Sequence, residues 1–146
     1  MFNVRNSVYS GLFFAISLLV GSSTANATNT TAFTSPATTG PFLAPCTINF
    51  GGTVGYNWFV DTYPYGVYLG VFKVGSGGLP LFVFAGNVSQ FSASYGSGTW
   101  SQAVTITWPG MYAAYAYQTD YYGKQLGLQA NAYFNVVGSG SGGGGG

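Results

Sequence analysis

Histidine and glutamate are missing from this chain, cysteine occurs once, and charged residues of either sign make up 3% of its 146 positions. An average soluble domain is roughly a quarter charged. Each shortage removes a class of function. Without histidine there is no imidazole base for a nucleophilic triad, and Lys73 and Lys124 are the only lysines that could stand in. A chain with no histidine and one thiol offers no ligand set for a transition metal, and two aspartates make a poor calcium site. The lone Cys46 excludes an internal disulfide; it reads as a small buried apolar residue, with an intermolecular bridge as the sharper alternative. Three basic residues leave no footprint for nucleic acid. The glycine tracts lack the strand-and-helix setting of a phosphate-binding loop. Paired carboxylates for glycoside hydrolysis could only be Asp61 and Asp120. Both sit in loop-like surroundings, where such groups usually bond their own backbone. No catalytic, cofactor or metal site is therefore expected, and the sequence argues against an enzyme.

No apolar run reaches the roughly 20 residues that a membrane-crossing helix needs. The one continuous run, residues 11–21, has another explanation. Arg5 precedes it, a polar stretch follows it, and Ala25-Asn26-Ala27 closes it with an A-x-A cleavage pattern. This is the grammar of a secretory signal peptide, residues 1–27, and it predicts a secreted or cell-surface protein with no membrane span once the signal is removed. Beyond it the charged side chains are Asp61, Asp120, Lys73 and Lys124, which cancel. Zero net charge favours self-association, and so few titratable groups predict a stability that hardly responds to pH. Residues 28–45 are threonine-rich and punctuated by Pro36, Pro41 and Pro45. They read as an extended leader, either a linker or a strand without partners in its own domain. Asn29-Thr30-Thr31 and Asn87-Val88-Ser89 are N-glycosylation sequons, which makes Asn29 and Asn87 candidate sites.

From Cys46 onward the pattern is all strand and turn. Segments 47–50, 54–61, 67–74, 79–85, 90–95, 101–108, 111–119 and 128–137 are rich in β-branched and aromatic residues. Gly51-Gly52, residues 75–78, Gly96-Ser97-Gly98, Pro109-Gly110 and Tyr122-Gly123 separate them as turns. Seven or eight short strands without a helix predict an antiparallel sandwich or small barrel over residues 46–137. The Gly/Ser tail, residues 138–146, has nothing to pack with and is expected to be disordered.

The last strands hold a more specific pattern. Val104 to Trp108 is followed by Pro109-Gly110-Met111-Tyr112, then by alternating Ala and Tyr to Tyr117, then by residues 130–137. This resembles the closing strands of immunoglobulin-like sandwiches, including PKD-type surface modules, in which a P-G-x-Y sequence opens the penultimate strand. The resemblance implies an antiparallel immunoglobulin-like β-sandwich. It places a structural tyrosine corner at Tyr112 and a buried core tryptophan at Trp58. The signal, the extended leader and the charge-poor Gly/Tyr/Thr domain together resemble subunits of crenarchaeal extracellular threads and pili. In those assemblies a subunit's N-terminal segment completes its neighbour's sheet.

The tyrosines admit three readings. In the strand opened by Tyr112, alternation sets Tyr112, Ala114 and Ala116 on one face and Met111, Ala113, Tyr115 and Tyr117 on the other, so both faces are apolar. Segments 67–74 and 79–85 are similarly two-sided. Burial against other copies of the chain explains this most directly, with Phe33, Phe42 and Leu43 of the leader and Tyr115 and Tyr117 of the sheet in the contact. A secreted adhesion module with a tyrosine-rich surface is the second reading. Glycan or protein recognition through Tyr115, Tyr117, Tyr121 and Tyr122 is the third.

Overall fold

A computed structural model describes residues 29–75 and 80–138. The expected signal peptide, most of the glycine tail and most of the 75–78 turn lie outside the described residues. Among those described there are nine strands and no helix: β1 Thr30–Ser35, β2 Phe42–Ala44, β3 Cys46–Gly55, β4 Gly66–Lys73, β5 Leu81–Asn87, β6 Gln90–Ser94, β7 Ser97–Ile106, β8 Gly110–Thr119 and β9 Gln125–Gly138. They form a four-stranded sheet in the order β1-β3-β7-β6 and a five-stranded sheet in the order β2-β9-β8-β4-β5.

The two sheets pack face to face over one core, in a sandwich-like all-β fold. Period-two alternation turns Ile48, Phe50 and Val54 of β3 and Trp100, Val104 and Ile106 of β7 inward from one sheet. Val67, Leu69 and Val71 of β4, Tyr112, Ala114 and Ala116 of β8, and Phe134 and Val136 of β9 meet them from the other. Each large side chain fully buried here stabilises the fold by roughly 1.5–3 kcal/mol. Tyr112 is 1% exposed; its ring stacks on Phe134 at 5.4 Å, and its hydroxyl donates to the Trp108 carbonyl at 2.6 Å across the β7–β8 turn. Burial, with the Cys46 thiol adding to it, raises the Tyr112 phenol above its ordinary pKa.

The leader is not detached. β1 pairs antiparallel with β3, from Thr30↔Gly55 to Ser35↔Gly51, and β2 pairs parallel with β9, Phe42↔Val136. The leader thus runs along one sheet and crosses to the edge of the other. Composition hid this because the prolines fall between and after the two short strands, where they interrupt no pairing. Gly51-Gly52 is not a turn either; β3 runs through it and pairs with β7 without a break. A Cβ on Gly52 would collide with the Ala32 carbonyl oxygen and come within 2.9 Å of Trp100, so glycine there serves close strand approach.

The tryptophan assignment also changes. The buried tryptophan is Trp100, at 3% exposed, while Trp58 is 51% exposed. The chain leaves the sheet after Gly55 because Asn57 and Asp61 close a local turn. The Asn57 amide N–H donates to Asp61 Oδ2 at 2.7 Å, and the Phe59 N–H to Asn57 Oδ1 at 3.0 Å. Short polar side chains that bond nearby backbone compete with a continuing strand. Trp58 is left in the loop against Phe59 and Tyr95.

Candidate functional site

Three features stand out: the seat of β1, an aromatic sheet face, and an aromatic loop end. Among the described strands β1 pairs with β3 alone, at the edge of its sheet. Its inward residues, Thr31, Phe33 and Ser35, are half-buried. Phe33 packs edge-on to Trp100 at 5.3 Å and to Phe50 at 6.5 Å. The start of the strand is clasped by Gln118, which is completely buried on β8 of the opposite sheet. Gln118 Nε2 donates to the carbonyls of Thr30 at 2.6 Å and Gly55 at 3.1 Å. Its Oε1 accepts from Asn29 Nδ2 at 3.0 Å, and Asn29 Nδ2 also donates to the Thr62 carbonyl at 3.3 Å. Gly127, at φ +75°, lies under this corner, and a Cβ there would strike the Asn29 carbonyl.

This geometry corrects one modification site. Asn29 is 5% exposed, with Nδ2 engaged by two acceptors, so a sugar on that nitrogen is incompatible with the docked strand. Asn87, at the end of β5, is exposed and opposite Tyr68 of β4.

The outer face of the five-stranded sheet is paved with rings. Tyr115 and Tyr117 of β8 lie outward, half-buried, beside Tyr68. The three ring planes are within 18° of parallel, with centroids 5.3 to 6.3 Å apart. Tyr115 reaches across the neighbouring strand over Gly70, where an added Cβ would meet its ring at 2.5 Å. Phe72 and Phe82 continue the face beyond it. Burial, then the neighbouring Tyr68 and Tyr117 hydroxyls, push the Tyr115 phenol up to about 12; burial and then Tyr68 raise Tyr117. β5, at the edge of this sheet, leaves Leu81, Phe82 and Val83 exposed.

At the end of the sandwich where the chain enters β1, the loops expose a second aromatic set. Trp58, Phe59 and Val60 project there with Tyr95, and Tyr63, Tyr65, Tyr121 and Tyr122 form a chain of edge-on contacts at 5.2 to 5.6 Å. Asn29 touches this loop through its bond to Thr62.

No protein-family model matches the chain, and no curated protein matches it. Its chemistry must therefore be read from its own residues. Asp61 and Asp120 serve their own turns, the latter accepting the Tyr122 and Lys124 N–H groups at 2.8 Å each. Among the described residues no group of three or more His, Cys, Asp or Glu side chains could hold a metal ion, and no helix is long and apolar enough to cross a membrane. A hollow of about 460 Å³ along β6 and β7 is lined by Ser, Thr, Gln, Phe91 and Trp100, none of them a general acid or base at neutral pH.

Of the leader residues singled out in the sequence, Phe33 is seated in the core edge and Phe42 packs on Phe134, while Leu43 is 60% exposed. Sequence reasoning missed Gln118, Gly52 and Gly127. A glutamine at an inward position of β8, continuing the alternate series Tyr112, Ala114 and Ala116, was the available signal.

Proposed function

We propose that this protein is a structural subunit of an extracellular filament or surface assembly, built by giving β1 of one copy to the next. The observation that supports this most is the seat of β1, an edge strand held by one neighbour, one aromatic plug and one polar clasp. A segment held so locally can leave its own sheet and be replaced by the same segment of another copy, as in domain swapping and strand addition. Residues 36–41 provide the tether. Exchange of β1 alone is nearly neutral in free energy, because the same contacts are made in either arrangement. The net drive must come from surface that is exposed in the monomer. The aromatic loop end beside the start of β1, the ring-paved sheet face and the apolar edge of β5 supply it. A contact that passes head to tail without closing yields a filament.

The immunoglobulin-like reading of the fold is supported by the strand order, by the leader that starts on one sheet and finishes parallel to the last strand of the other, and by the Tyr112 hydroxyl bonded back to the β7–β8 turn. The signal-like N-terminus supports secretion. Negative-stain imaging of the secreted protein tests the assembly: filaments or sheets are expected, and a strictly monomeric protein at high concentration would refute it.

One observation favours a second reading, a secreted adhesion module. The near-parallel Tyr68, Tyr115 and Tyr117 rings offer a flat apolar surface of the kind sugars stack on. Glycan binding by a monomer, lost when Tyr115 and Tyr117 are changed to alanine, would select it.

A further inference from the structure

We infer that Gln118, Gly52 and Gly127 form a sequence-reading receptacle for an extended segment that presents asparagine and, four positions on and on the same face, an aromatic ring, and that its ligand in the assembly is residues 29–33 of a second copy. This deepens the strand-exchange proposal and rests on it.

The selectivity follows from donor and acceptor counts. Both N–H groups of Gln118 point at main-chain carbonyls, which can only accept, so the side-chain orientation is fixed and Oε1 faces Asn29. Oε1 needs a donor, and so does the Thr62 carbonyl on the other side of Asn29. An amide nitrogen serves both. An aspartate at position 29 would set a buried carboxylate against two oxygens, and an alanine would leave both acceptors unmatched. Flipping Gln118 would turn its oxygen onto the Thr30 and Gly55 carbonyls, so the receptacle cannot adapt. Gly127 and Gly52 make room for the segment, because a side chain at either position would block the incoming main chain, at Asn29 and at Ala32. Phe33 then fills the notch between Phe50 and Trp100. A slip of one residue would carry the asparagine away from Gln118 and turn Phe33 out of the core, so the clasp and the ring fix one register between them.

The test uses two full-length variants. Asn29→Asp spoils the segment and keeps the receptacle; Gln118→Leu spoils the receptacle and keeps the segment. At a concentration just below the parent's assembly threshold each alone is expected to fold and stay monomeric, since the clasp is lost equally from its own sheet and from a neighbour's, while its β1 amides exchange on the order of 10- to 100-fold faster than in the parent chain. Mixed, they are expected to form a discrete 1:1 complex by light scattering, because only the Asn29 segment of one fits the Gln118 receptacle of the other. If Gln118→Leu does not fold by circular dichroism, Gly52→Ala replaces it, since its added methyl group meets the incoming Ala32 carbonyl. Unchanged exchange of the β1 amides in both variants overturns the receptacle while leaving strand exchange standing. So does a mixture that stays monomeric at that concentration while the parent assembles above it. A parent chain that itself never assembles removes strand exchange and this inference with it.

Discussion

Truncating Phe33 to alanine should weaken the seat of β1. Removing a fully buried phenylalanine costs about 3–5 kcal/mol. Phe33 is half-buried, and its contacts are two edge-on ring pairs, with Trp100 and Phe50. A loss of about 2 kcal/mol follows, roughly half the full figure. The location of that loss matters more than its size. β1 is bonded to one strand, whereas β8 lies inside its sheet between β4 and β9. If β1 opens as its own unit, the whole loss falls on its opening equilibrium. Native-state hydrogen exchange of the monomer, read by mass spectrometry, should then show β1 amides exchanging about 30-fold faster, and β1 amides less protected than those of Ala114 and Ala116 in β8 in the parent and variant alike. Equal protection of β1 and β8 in the parent would mean that β1 opens only with the whole domain, which would refute the reasoning. A change below about threefold in β1 would show that Phe33 does not anchor it.

Other consequences are equally direct. Tyr112→Phe removes the 2.6 Å bond to the Trp108 carbonyl and should cost about 1–1.5 kcal/mol by urea unfolding; a neutral result would mean the hydroxyl is not structural. The Tyr115 phenol, raised by burial and its tyrosine neighbours, keeps its proton longer in the folded chain than in the unfolded one. Its contribution to stability is therefore complete below the ordinary tyrosine range near pH 10 and is lost as pH rises toward about 12. Tyrosinate absorbance should show a late wave that shrinks in Tyr115→Phe, and a single wave near the ordinary value would contradict the packing. Changing Trp58 and Phe59 together to serine should leave monomer stability within about 0.5 kcal/mol, since both are exposed, and should weaken assembly; unaltered assembly would exclude the aromatic end from the contact.

The strand pattern was legible where the alternation is strong. Tyr112, Ala114 and Ala116 turn inward in the sequence as in the fold, because a period of two leaves no choice once one face is buried. It failed where a glycine pair has two meanings. Gly51-Gly52 looks like a turn in one dimension and is a close crossing with β1 in three. Trp58 looked like a core residue by analogy, but the Asn57 and Asp61 side chains capture the backbone just ahead of it and just after it. The seat of β1 was least visible. Asn29, Gly55, Gln118 and Gly127 are distant in sequence, and only the packing of the two sheets brings them to one corner. A sequon reading of Asn29 sees its chemistry and not its burial.

The central claim, that β1 passes from copy to copy, is tested most directly by a disulfide across β1 and β3. Ala32 and Thr53 are directly paired, both exposed, and at the spacing an antiparallel pair gives, which a disulfide can bridge. With Cys46 replaced by alanine, the Ala32→Cys, Thr53→Cys chain is assembled, oxidised and run on a denaturing, non-reducing gel. Strand exchange predicts a ladder of covalent multimers that collapses to monomer on reduction. A single monomer band with its disulfide formed internally, from protein that had assembled, would contradict it.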